Sequence, residues 1–253
     1  MTSLLPDLRG RAEHLAELMD DPDCDPEALR RTYAVFPLVN GLVAGWRRAW
    51  TERLRPLVAS SDAPTTLLDL GSGGGDLARA LARWAERDGL ALHVTAVDPD
   101  ERAHDFASAR PRRGVDYRRA SSADLVAAGE TFDVVVSNHV LHHLDDAART
   151  AVLSDSERLA RRLALHSDIR RSRAAYAAYA VGTLPLAGSS FVRVDGLRSI
   201  RRSWRVDELR AVAPPRWRVL ARPPMRVWLT WEPLRASSEP GGVAGRAAAE
   251  IAS

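Results

Sequence analysis

The sequence predicts an α/β protein with a doubly wound, mostly parallel seven-stranded sheet and helical cap elements. Three observations carry that prediction. Short apolar runs alternate with helical segments from Thr65 onward, the texture of a parallel sheet with helices on both faces. A glycine-rich turn, "GSGGGD", joins the first run to its helix; glycines at a strand end let the backbone turn sharply and approach a ligand. The first four runs end in polar residues, and open parallel sheets bind ligands at the carboxyl ends of their strands.

Taken in order, residues 8–20 carry leucines at helical spacing and predict a first helix. "DDPDCDP" is a turn, with Asp25 as N-cap and Pro26 as first helical residue. A second helix is expected over 27–34, and "FPLVNGLVAGWRRAWTERLRPL" is a third helical stretch loosened by Gly41 and Gly45. "TLLDL" is the first strand. In "GDLARALARWAERDG", Leu77, Ala80, Leu81 and Trp84 make one helix face and Gly89 ends it. "LHVTAVDPD" is the second strand, "ERAHDFASAR" a helix stopped by Pro111, and "VDYRRASSADL" a third strand with a polar end. "FDVVVSNHVLHHL" is a fourth strand that breaks at Ser137, followed by a helix over "DDAARTAVLSDSERLA" and a fifth strand at "RLALHSD". A helical stretch at 169–186, a helix in "SWRVDELRAVA" and a closing strand pair, "RWRVLARPP" and "MRVWLTWE", complete the pattern. The expected division is an N-terminal helical cap over 1–62 and a core over 63–232, with a cap insertion at about 169–200. A small, polar tail over 233–253 is expected to be disordered.

Composition sets outer limits. The 253 residues are 45% hydrophobic and 27% charged, ordinary values for a globular chain able to bury a core. There is no run of about 18 apolar residues, the length a membrane span needs. The start, "MTSLLPDLRGRAEHLAEL", lacks the apolar stretch of a signal peptide, so a cytoplasmic protein is expected. Cys24 is the only cysteine, which excludes an intrachain disulfide and a cysteine metal cluster. All 36 basic residues are arginine, and the net charge is only +3. Acids and bases nearly balance, so nucleic acid is not expected as a partner. A homodimer is compatible with this composition.

The glycine turn alone fits several ligands. Asp69, just before the glycines, narrows the choice: a carboxylate there would repel a pyrophosphate but suit a ligand with an ammonium group and no phosphates. No Gly-Lys-Ser/Thr sequence follows, which argues against a triphosphate loop. Asp98 follows Gly75 by 23 residues at the end of the second strand. An acid about 20 residues past the glycines reaches ribose hydroxyls. Asp124, in "SSAD", is placed to accept from an adenine amino group, and "SNHVLHHL" would line the ligand's other side.

The set "LDLGSGGGDLARAL", "VTAVDPD", "SSADL" and "FDVVVSNHVLHHL" resembles the class I S-adenosylmethionine-dependent methyltransferases, over roughly residues 63–168. The resemblance implies a Rossmann-like fold, S-adenosylmethionine as cofactor and methyl transfer as the reaction. It places Asp69, Gly71 and Gly73 around the methionine part, Asp98 with Pro99 at the ribose, Ala123 with Asp124 at adenine, and Asn138 in the pocket wall. Arg47 would clamp the cofactor's carboxylate or lie on an exposed helix face. The usual proline-glycine-glycine turn before the fifth strand is absent; Ala160-Arg161-Arg162 stand there. "LVNGLVAGWRR" and "HSDIRRSRAAY" resemble a bacterial small-molecule subgroup, the quinone- or phenol-type methylases. That implies a small-molecule acceptor with a phenolic or enolic oxygen, in secondary-metabolite biosynthesis. Carbon methylation of a quinol ring is the alternative; an RNA methyltransferase or a non-catalytic cofactor-binding partner ranks lower.

His139, His142 and His143 follow the fourth strand. His142 and His143 are adjacent, and neighbouring side chains do not converge as i, i+4 pairs do, so no metal centre is expected. His143 is a candidate base for an acceptor's proton, and His142 a weaker one; the competing reading is capping or packing. Asp168 either orients a histidine or caps the next helix.

Overall fold

A computed structural model describes residues 6–234; the predicted tail from 235 onward lies outside the described residues. Seven strands form one sheet: β1 (Thr65–Leu70), β2 (Leu92–Val97), β3 (Val115–Arg118), β4 (Phe132–Asn138), β5 (Ala160–Ile169), β6 (Arg218–Arg222) and β7 (Arg226–Trp231). Their order is β3-β2-β1-β4-β5-β7-β6. The first five strands pair in parallel, and β7 runs antiparallel between β5 and β6. The order reverses between β1 and β4, so a crevice opens at the carboxyl ends of these two strands.

Side-chain alternation explains the two layers of core. Leu67, Val94, Val134, Val136, Leu163, Leu165 and Trp228 bury one face of the sheet. Leu68, Val135, Ala164, Val227 and Leu229 bury the other. Successive strand residues point to opposite faces, so a sheet covered on both sides reads as an unbroken apolar run such as "DVVVS". On the first face lie α2 (Trp46–Ala49), a π-helical turn (Trp50–Leu54), α3 (Arg55–Ala59) and α4 (Asp76–Arg87). In α4, Leu77, Ala78, Leu81, Ala82 and Ala85 form the buried stripe, each large side chain contributing about 1.5–3 kcal/mol on burial. The other helices are α1 (Pro26–Val43), α5 (Glu101–Ser108), α6 (Ser122–Ala127), α7 (Asp146–Leu159), α8 (Arg173–Gly182), α9 (Val192–Arg202) and α10 (Val206–Val212). Asp25 caps α1 through the Glu27 N–H with Pro26 behind it, as its sequence predicts. Among the described residues no helix is long and apolar enough to cross a membrane.

The structure departs from the sequence reading in four places. The helix expected over 8–20 is an irregular strap with a single 3-10 turn at Leu18–Asp20. Its carbonyls are met by arginines from distant elements: Leu8 by Arg171, Leu15 by Arg202 and Ala16 by Arg198. Side-chain donors thus replace the helix ladder. The two helices expected at 27–34 and beyond Phe36 are one continuous α1, despite Pro37. The break falls instead at Gly45, which takes a left-handed conformation (φ 69°). β3 ends at Arg118, and "SSAD" is the first turn of α6. Finally, β5 begins directly at Ala160, without a glycine turn before it, and its pairing with β4 shifts register between Phe132 and Val134.

Candidate active site

A cleft of about 520 Å³ opens at the carboxyl ends of β1, β2 and β4. Its floor is the glycine turn. Gly71 has φ 64°, and a Cβ there would sit 2.7 Å from Val140 Cγ2. Gly73 is also left-handed, and its N–H donates to Asp98 Oδ2 at 2.8 Å. Asp98 Oδ1 accepts from the Asp100 N–H at 2.9 Å. Two backbone donors therefore fix the Asp98 carboxylate at the rim of the cleft, with Pro99 beside it. Burial raises the Asp98 pKa against the pull of those donors.

Asp69 sits deeper, 1% exposed, and its Oδ2 meets no donor. Burial first, then the Asp76 and Asp98 charges, push its pKa well up. Such a group is costly unless a cationic partner arrives. Asp76 opens α4 on the same wall and accepts from Asn40 Nδ2 at 3.0 Å. Its place directly after the glycines is a signal that sequence reading passed over. Tyr33 of α1 packs on Phe106 and closes the cleft over Gly73 and Gly74.

Across the cleft stands the β4 end. His139 is left-handed (φ 61°), an unusual conformation for a residue with a Cβ. Arg226, fully buried on β7, explains its placement. One guanidinium donates to Asn138 Oδ1 at 2.9 Å, to His139 Nε2 at 2.9 Å and to Ser167 Oγ at 3.1 Å. Burial lowers the Arg226 pKa to about 10, so it stays charged at neutral pH. Burial and that neighbouring charge hold His139 neutral. Nothing local in the sequence marked Arg226, which lies 88 residues from Asn138.

His142 is buried between two carboxylates. Its Nδ1 is 2.8 Å from Asp168 Oδ1, and its backbone N–H donates to Asp168 Oδ2 at 3.0 Å. Its Nε2 lies 3.2 Å from Glu17 Oε1. Burial works against the imidazolium, but Asp168 and Glu17 overcome it and push the pKa up to about 9. Burial likewise opposes the Glu17 charge, yet His142 brings its pKa down to about 2. His143 is partly exposed, with Nδ1 3.1 Å from Asp20 Oδ2 and Nε2 3.8 Å from Glu17 Oε2. Glu17 and Asp20 come from the strap. The buried Asp195 of α9 anchors it by accepting the Leu18 and Met19 N–H groups at 2.7 and 3.0 Å.

Of the residues singled out from sequence, Asp69, Gly71, Gly73, Asp98, Pro99, Asn138, His142 and His143 line this cleft, and Asp168 stands behind His142. Three do not. Asp124 is exposed and closes a capping box on Ser121, its Oδ2 accepting from the Ser121 N–H at 2.8 Å. It lies outside the cleft lining, because β3 stops short and puts "SSAD" into a helix start. Ala123 points away with it; Ala120, Ser121 and Ser122 line the cleft there. Arg47 is exposed and lies 5.4 Å over the Trp84 ring, outside the cleft. Asp124→Ala is therefore expected to cost a little thermal stability, through the lost cap, and Arg47→Ala less. Both should leave S-adenosylhomocysteine binding within twofold in calorimetry. A tenfold loss in either would return that residue to the site.

Comparison with known proteins places this geometry. Residues 67–162 match the family profile described as "Methyltransferase domain". That stretch, β1 through the start of β5, is what the chain has in common with methyltransferase domains. Among its relatives are two proteins named ubiquinone biosynthesis O-methyltransferase. The one from Methylobacterium sp. (strain 4-46) is 40% identical over 96 residues, 37% of this chain and 36% of that protein. The one from Rhizobium leguminosarum bv. trifolii (strain WSM2304) is 37% identical over 83 residues, 32% and 31% of the two chains. The chain thus matches about a third of the length of these curated relatives. The fold is shared more widely. The plantazolicin methyltransferase BpumL superposes with a TM-score of 0.60 at 13% identity, over 85% of this chain and 93% of that one. A structure reported for the conversion of a disulfide bond into a thioacetal group during echinomycin biosynthesis gives 0.53 at 20%, over 84% and 92%. The match ends within β5, so the strap, α1, α8, α9 and Arg226 lie outside the matched segment.

Proposed function

We propose that this chain binds S-adenosylmethionine in the cleft and transfers its methyl group to a small-molecule acceptor, at a phenolic or enolic oxygen. One observation carries the reading: the orphaned, buried carboxylate oxygen of Asp69 beside a glycine cradle that a Cβ would fill. A ligand with positive charge and no phosphate suits that pair. The bound cofactor would supply an electrophilic methyl on a positive sulfur.

The chain's own residues would do the rest. Asp98, already fixed by two N–H donors, would receive the ribose hydroxyls. Asp69 and Asp76 would face the positive part, and Ser121 and Ser122 would line the adenine end in place of Asp124. The strap and α9 line the acceptor side and would exclude water, which otherwise competes for a strong electrophile. His142 keeps its proton between Asp168 and Glu17 and is a poor base at neutral pH. His143, whose ring is backed by Asp20, is the histidine that meets the acceptor's proton. The names of the curated relatives support oxygen as the methylated atom. A cytoplasmic setting belongs to this reading, with no nucleic acid as partner.

The test is direct. Radiolabelled methyl from S-adenosylmethionine should appear on members of a panel of phenols and enols, with His143→Ala reducing kcat at least about 100-fold, the low side of a general base's worth. If calorimetry detects no S-adenosylmethionine binding, the reading fails.

A further inference from the structure

The acceptor end of the cleft has a construction that proton transfer alone does not require. Two histidines each have a carboxylate at Nδ1: Asp168 at 2.8 Å from His142, and Asp20 at 3.1 Å from His143. Both Nε2 atoms then face one further carboxylate. His142 Nε2 lies 3.2 Å from Glu17 Oε1, and His143 Nε2 lies 3.8 Å from Glu17 Oε2. The three ligand atoms lie within 4.8 Å of one another. His142 is only 2% exposed, and its Nε2 has no well-directed hydrogen bond.

We propose that Glu17, His142 and His143 form a divalent metal site of the zinc type, with Asp168 and Asp20 as the carboxylates behind the two histidines. Histidine ligands in such sites usually donate their second ring N–H to a carboxylate, which fixes the tautomer and the ring plane. Bonds of about 2.0–2.2 Å in tetrahedral geometry put neighbouring ligand atoms about 3.3 Å apart. The Nε2–Oε1 separation of 3.2 Å matches that spacing, and the His143 contact needs only a shift of a partly exposed ring. Adjacent histidines seldom share an ion, but here the chain turns after β4 and the two ring centres come to 4.3 Å. The alternative trio of His139, His142 and Asp168 is poorer. Asp168 is already engaged by the His142 ring and two backbone N–H groups, and the Arg226 guanidinium adds a positive charge at His139 Nε2.

Three protein ligands leave a position open toward the cleft, as catalytic rather than structural zinc sites do. An acceptor hydroxyl suits that position. This role, though not the ion site itself, rests on the methyltransferase reading: with the ion bound, His143 Nε2 would hold the metal instead of taking a proton, and the ion would lower the pKa of the acceptor hydroxyl in its place.

Cobalt(II) titration of the chelator-treated full-length protein tests the site. We expect one equivalent to bind with the visible absorption of a four-coordinate N/O site. Glu17→Gln and His143→Ala should each weaken binding at least about 100-fold. Asp20→Asn should weaken it about tenfold, as loss of a supporting carboxylate does. Arg47→Ala should match the parent. Thermal melts in chelator establish that each variant is folded. No one-to-one uptake, or equal uptake by the folded Glu17→Gln and His143→Ala proteins, overturns the site. S-adenosylhomocysteine binding, measured alongside, separates the two readings. Binding of that ligand without cobalt uptake defeats the metal site alone. Cobalt uptake without that ligand supports the site and defeats the cofactor reading.

Discussion

Asp98→Ala is expected to weaken S-adenosylhomocysteine binding about 100-fold, which corresponds to about 2.7 kcal/mol. The size follows from the hydrogen bonds at stake. Bonds to a charged group contribute about 1.5–3 kcal/mol each, and a ribose diol would make up to two with this carboxylate. The substitution also frees the Gly73 and Asp100 N–H groups, so the glycine cradle loses its brace. Asp98→Asn keeps the shape and one acceptor oxygen, and about a tenfold loss is expected from it. Isothermal calorimetry on both variants reads the difference. An unchanged Kd for the alanine protein would remove Asp98 from the ligand site.

Asp168→Ala should be the most destabilising single change in the acceptor half of the cleft. Asp168 is wholly buried and accepts from His142 Nδ1, the His142 N–H and the Ile169 N–H. Removing one partner of a buried ion pair costs about 3–5 kcal/mol. Urea denaturation at neutral pH measures that loss. Asp168→Asn isolates the charge, and pH then gives a second check. His142 has its folded pKa raised from 6.5 to about 9. Its contribution is fully present below 6.5 and is lost as pH rises through about 9. Burial opposes the Asp168 charge, but His142 holds that pKa below its ordinary 3.8. That contribution is present above 3.8 and lost as pH falls through the lower, folded value. The metal-free parent should therefore weaken as pH rises from 6.5 to 9. In Asp168→Asn this alkaline decline should shrink. A decline of the same size in both proteins would show that His142 does not titrate as the partner of Asp168.

Much of the cleft wall at the ends of β1 and β2 was legible before folding, for a local reason. The glycines need a particular backbone, and Asp69 and Asp98 sit within a residue or two of strand ends set by apolar periodicity. Gly71, Gly73, Asp98 and Asn138 accordingly reach the cleft. Asp124 shows the limit of that logic. A strand end misplaced by a few residues changes which side chain faces the ligand, and the capping preference of "SSAD" outweighed the expected extension of β3. Leucine spacing misled similarly at 8–20, because helical periodicity does not register that arginines more than 160 residues away will take the carbonyls.

By itself, the sequence determined the alternation of strands and helices, the glycine turn, and the acids at the ends of β1 and β2. Those features follow from side-chain period and backbone freedom, which act over a few residues. Tertiary structure alone decided that Arg226 would grip Asn138 and His139, that Asp195 would anchor the strap, and that Glu17 would face two histidines. These pairings join residues far apart in the chain, and the electrostatics that give them meaning arise only once burial has removed the water between them.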